Sequence, residues 1–86
     1  MSFRVRRMRE VHPAALKHGV EPADIKHALR HALRFIDKND GTYLYLGPAR
    51  NGQLLEVVTA FKPDQSEIAI HAMRMRRKYA NLLPRD

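Results

Sequence analysis

The hydrophobic pattern of the chain changes period near its middle. In "VEPADIKHALRHALRFI", residues 20–36, Ile25, Ala28, Leu29, Ala32 and Leu33 recur at three- and four-residue spacing. That spacing predicts a helix with one buried stripe. Pro22 suits its first turn, and Glu21 and Asp24 suit the positive end of the helix dipole. A shorter helix is predicted over "HPAALKHGV", with Pro13 in the first turn and Gly19 as the stop. Before it, "FRVRRM", residues 3–8, alternates weakly and predicts a short first strand.

Beyond the turn signal "NDGT" the period becomes two. "TYLYLG", "QLLEVVTAF" and "EIAIHAM" read as three strands, joined by "PARNG", with its Asn51-Gly52 turn signal, and by "KPDQS". Connections this short predict an antiparallel meander. "RMRRKYANLL" then predicts a C-terminal helix with Met75, Tyr79, Leu82 and Leu83 on one side and Pro84 just beyond. The expected architecture is one α+β domain over residues 1–86. It has a small antiparallel β-sheet meander, N-terminal helices packed on one face, and a C-terminal helix.

Side chains alternate between the two faces of a strand. Ile68, Ile70 and Ala72 are expected beneath the helices, which puts His71 on the opposite face. A hairpin closing near Lys62 and Glu67 sets Val58 opposite His71 and Glu56 opposite Met73, so Glu56 becomes a diagonal neighbour of His71. Symmetric closure of "PARNG" adds Tyr43 and Tyr45 to the same face, although a one-residue slip reverses that assignment. Such a face suits RNA, because aromatic rings stack on unpaired bases and arginines hold phosphates. A histidine titrating near neutrality can also move a proton. Tyrosine is equally a good strand former, so the pattern does not by itself require a site.

Charge sharpens the picture. Sixteen Lys and Arg against nine Asp and Glu give a net charge of +7. The excess is clustered, with Arg4, Arg6, Arg7 and Arg9 at one end and Arg74, Arg76, Arg77 and Lys78 near the other. A small body so charged attracts polyanions. The chain has no cysteine, which removes disulfides and thiolate metal sites. It has no apolar run of membrane-spanning length and no apolar signal-peptide core, so a soluble cytoplasmic protein without a membrane partner is expected. His27 and His31 are four apart on a predicted helix, with His12 and His18 nearby. They lack the glutamate of an H-E-x-x-H motif, and neither a metal site nor a cofactor is expected.

Three stretches together resemble the BrnT-like toxins of bacterial type II toxin–antitoxin systems, relatives in fold of the RelE-type ribonucleases. "LKHGVEPADIKHAL" is similar to that family's KHGV-plus-helix signature, "LGPARNGQLLEVV" to its glycine hairpin, and "IAIHAMRMRRKY" to its final strand with basic and aromatic residues following. The ordered set spans most of residues 16–79. Gln53, His71 and Met73 depart from it, standing where arginine, serine and arginine are usual, and the final helix lacks the family's glutamate.

The resemblance implies a toxin that cleaves RNA without a metal, classically translated messages, and that is held by a small cognate antitoxin. The ribose 2′-OH would attack the adjacent phosphate. His71 would serve as base or acid, Arg74 and Arg76 would stabilise the added negative charge, and Glu56 would set the His71 tautomer. Arg50, Tyr43, Tyr45, Arg77, Lys78 and Tyr79 would bind the RNA. The alternative reading is a basic nucleic-acid- or protein-binding module of the same fold without chemistry. "ADIKHALRHALR" as a DNA recognition helix is disfavoured, because its apolar stripe is needed for the core.

Overall fold

The computed structural model describes residues 9–84. The expected strand over residues 3–8 lies outside them. Among the described residues, five strands form one mixed sheet: β1 (Arg9–Val11), β2 (Arg34–Asp37), β3 (Thr42–Pro48), β4 (Leu54–Phe61) and β5 (Glu67–Arg74). Their order across the sheet is β1-β5-β4-β3-β2. The run β2 to β5 is antiparallel, whereas β1 joins β5 in parallel through Arg9 opposite Glu67 and Val11 opposite Ala69. The expected three-strand meander is therefore present inside a larger sheet.

A 3₁₀ turn at Pro13–Leu16 follows β1. His12 donates its backbone N–H to the Ala69 carbonyl and its ring Nδ1 accepts from Ala14, which starts the turn. Gly19 then takes φ +82°, the left-handed region that favours glycine. Helix α1 (Pro22–Arg30) buries Ile25, Ala28 and Leu29 against Tyr45, Leu55, Val57, Ala69 and Ala72, with Ala15 completing the cluster. A Cβ on Gly47 would lie 2.3 Å from the Ala28 carbonyl oxygen, so the missing side chain is what lets α1 approach β3.

The helix stops earlier than its periodicity predicts. Leu33 donates its N–H to the Leu46 carbonyl, and residues 34–37 then pair with β3. Phe35 and Ile36 are good strand formers, and the free edge of β3 captures their backbone. Leu33, expected in the buried stripe, is consequently half exposed.

The last strand also corrects the expected faces. Val58 does stand opposite His71, and Glu56 opposite Met73. Beyond that pair the register shifts, and Thr59 faces Ala69, leaving Ile70 as the extra residue of a β-bulge. Ala69 and Ala72, rather than Ile68 and Ile70, lie beneath α1 and the first 3₁₀ turn. The small side chains admit those elements closely, while the isoleucines are only half-buried on the other side. The C-terminal α-helix is absent. Arg77–Leu82 forms a 3₁₀ helix without buried residues, anchored by Arg34 Nε donating to the Leu82 carbonyl. Arg34 pairs with Leu46 on the face opposite α1, so this segment runs over that face and not over the helix-covered one. Among the described residues, no helix is long and apolar enough to cross a membrane.

Candidate functional site

Glu56 is the centre of the site. It lies on β4 on the sheet face away from α1, and it is fully buried there. Its Oε2 accepts from Arg76 Nη2 at 2.7 Å and meets His71 Nε2 at 3.0 Å. Its Oε1 accepts the Arg76 backbone N–H at 2.9 Å and Arg76 Nε at 3.1 Å. Burial, the largest single influence, pushes the carboxyl up. The side-chain and backbone hydrogen bonds from Arg76 and the contact with His71 together outweigh it and hold Glu56 down at about 2. The carboxylate is therefore ionised at neutral pH, and Arg76 is held more firmly charged by it.

A carboxylate can only accept, so a neutral His71 presents Nε2–H to Glu56 and leaves the lone pair on Nδ1. The ring is about one-quarter exposed. Arg76 is nearly half exposed, and its guanidinium has further N–H groups beyond those given to Glu56. These side chains line a shallow depression of about 340 Å³ with Lys38, Asp40, Thr42 and Tyr79. Tyr79 is flanked by two cations, the Arg76 guanidinium 5.7 Å and Lys78 Nζ 5.1 Å from its ring centre.

The structure thus brings together His71, Glu56, Arg76, Tyr79 and Lys78, and separates the remaining expected residues. Arg74 pairs with Leu55 on the α1 side of the sheet, the face opposite to His71 and three residues farther along β5. It lines a second cleft of about 380 Å³ with His18, Asn51, Gln53 and Arg50. The Gln53 amide, with its oxygen toward Arg74, accepts from Nε at 2.7 Å and Nη2 at 2.9 Å. Arg50 is committed to Asp24 and Glu21, both at 2.8 Å. Arg77 is exposed at the start of the last 3₁₀ helix.

Tyr43 and Tyr45 are not on the His71 face. The hairpin pairs Pro48 with Leu54 and Tyr45 with Val57, so Tyr45 lies in the core on the face opposite Glu56. Its hydroxyl donates to Glu67 at 2.5 Å, which also accepts from Thr59 and Arg9. Burial, and then the adjacent Glu67 carboxylate, raises the Tyr45 phenol well above its usual range. Tyr43 stacks on Phe35 at 5.4 Å and meets Phe61 edge-on. Neither tyrosine is available to a ligand bound at His71.

Two contributors were not singled out as site residues from the sequence. Lys38 follows the last residue of β2, ahead of the "NDGT" turn, and lines the depression from there. His18 enters through the 3₁₀ turn, with its ring centre 5.6 Å from that of His71 in an edge-on contact. His27 Nδ1 meets the Pro48 carbonyl at 2.8 Å and its ring lies against His31. Among the described residues, no group of three or more metal-ligating side chains is assembled. No family model, curated protein or solved structure matches the chain.

Proposed function

We propose that this protein is a ribonuclease, the toxin of a BrnT-like toxin–antitoxin pair, cleaving RNA by attack of a ribose 2′-OH on the adjacent phosphate. The observation that carries the reading is the Glu56–His71–Arg76 group. A buried carboxylate orients an accessible imidazole and sets a half-exposed guanidinium beside it. His71 Nδ1 is the candidate base for the 2′-OH proton, and Glu56 stabilises the imidazolium that results. The outward N–H groups of Arg76 suit the charge that builds on the phosphorane oxygens, with Lys38 as a second cation. Tyr79, braced between Arg76 and Lys78, is placed to stack on a neighbouring base. The +7 charge favours capture of a long polyanion.

The test is incubation of the purified protein with single-stranded RNA and with translating ribosomes, in EDTA. Cleavage leaving a 2′,3′-cyclic or 3′-phosphate and a 5′-hydroxyl supports the reading. Saturable, salt-sensitive binding without cleavage would instead identify a basic binding module.

A further inference from the structure

We propose that His18 is the general acid that protonates the leaving 5′-oxygen, paired with His71 as the base; this inference rests on the ribonuclease reading above. The other three histidines each have a different employment. His12 caps the first 3₁₀ turn through Nδ1, His27 contacts the Pro48 carbonyl, and His31 packs on His27. His18 is exposed, its ring meets His71, and neither of its nitrogens has a hydrogen-bond partner among the described residues. It is also well positioned by the backbone. Fully buried Ala15 anchors the turn in the core, Gly19 N–H closes onto the Leu16 carbonyl at 3.0 Å, and Gly19 bends the chain away at φ +82°.

Location distinguishes the two rings. His71 borders the depression that holds Glu56, Arg76 and Tyr79, whereas His18 lines the second cleft beside Arg74. Arg50, the other cation of that cleft, is neutralised by Glu21 and Asp24, so Arg74 is the cation left to meet phosphate there. A strand of RNA crossing from one depression to the other would place its scissile phosphate at the His18–His71 contact. The 2′-OH side would lie toward Glu56 and the leaving nucleoside toward Arg74.

The step balances with these groups alone. His71 Nδ1 takes the 2′-OH proton as O2′ bonds to phosphorus. The P–O5′ bond breaks with its electron pair on O5′, and protonated His18 donates a proton to that oxygen. The products are a 2′,3′-cyclic phosphate and a 5′-hydroxyl, with the proton charge moved from His18 to His71. Hydrolysis of the cyclic ester runs the roles in reverse and restores both rings.

A substrate with sulfur replacing the bridging 5′-oxygen separates the two roles, because a thiolate leaves without needing a proton. His18→Ala and His18→Asn are expected to slow cleavage of ordinary RNA by roughly 10²–10⁴-fold. Both should cleave the sulfur-bridged substrate within a few-fold of wild type. His71→Ala should be slow on both substrates. Equal slowing of the His18 variants on the two substrates, or no slowing on either, would overturn the assignment while leaving the ribonuclease reading intact. Failure of the wild type to cleave either substrate would remove both.

Discussion

Glu56 accepts hydrogen bonds from both the backbone and the side chain of Arg76, at 2.9 Å and 3.1 Å on the same oxygen. Arg76 is the residue at which the chain leaves β5 and enters the last 3₁₀ helix. The carboxylate that orients His71 is thus also the fastening of the C-terminal segment. Replacing it with Gln keeps the shape but gives up the charge and two acceptor positions. Glu56→Gln should destabilise the domain by about 1–3 kcal/mol, and amide exchange should show early loss of protection at residues 75–83.

The same group predicts an acid transition. Its carboxyl is held at about 2, below the ordinary 4.5. A depressed carboxyl contributes stability that is present above its unfolded value and lost as pH falls through its folded one. The C-terminal segment should therefore stay docked down to about pH 4.5 and detach as pH approaches about 2. Chemical shifts of Tyr79 and Leu82 should report the step, and it should be missing in Glu56→Gln.

For activity, His71→Ala should slow cleavage by roughly 10²–10⁴-fold while thermal unfolding stays cooperative. Arg76→Lys is more informative than Arg76→Ala, since lysine keeps the charge but cannot form the two-pronged contact with Glu56. It should lower the catalytic rate more than it weakens binding. Arg77→Ala should do the opposite, leaving the rate at saturation near wild type. It should also reduce the slope of log affinity against log salt by about 1. Cleavage assays at saturating RNA, together with a salt series of binding measurements, check both.

Gly47 offers a test remote from the chemistry. Ala at this position needs the Ala28 carbonyl oxygen to retreat from 2.3 Å, and that atom belongs to a helix backbone, not to a flexible side chain. Gly47→Ala should cost at least about 2 kcal/mol, readable as a lower denaturant midpoint with an unchanged slope.

Much of this was legible from alternation and spacing, and the exceptions have particular causes. The three strands from Thr42 to Arg74 and the start of α1 at Pro22 follow from residue patterns that tertiary contacts did not override. Ala32, Leu33 and Ile36 continue helical spacing, so nothing local announced that the edge of β3 would take residues 34–37. The bulge at Ile70 was equally silent, because both registers of β5 present an apolar series. Close approach of α1 and the first 3₁₀ turn selected the alanines over the larger isoleucines. Glu56 beside His71 was reachable from the hairpin, but Arg76 joined them only through the course of the chain after β5. Tyr43 and Tyr45 pair with Thr59 and Val57, and symmetric closure of "PARNG" at residues 47 and 53 would likewise have paired them with odd-numbered residues of β4, on the face away from Glu56.

The parallel pairing of β1 with β5 also bears on synthesis. Arg9 meets Glu67 across a sequence separation of 58 residues, and every strand between them emerges from the ribosome first. Until β5 is made, β4 has an open edge and, among the described residues, β1 has no partner, which leaves those edges open to edge-to-edge association. Completion of β5 closes that gap and delivers His71, so the sheet and its candidate base are finished in the same late event.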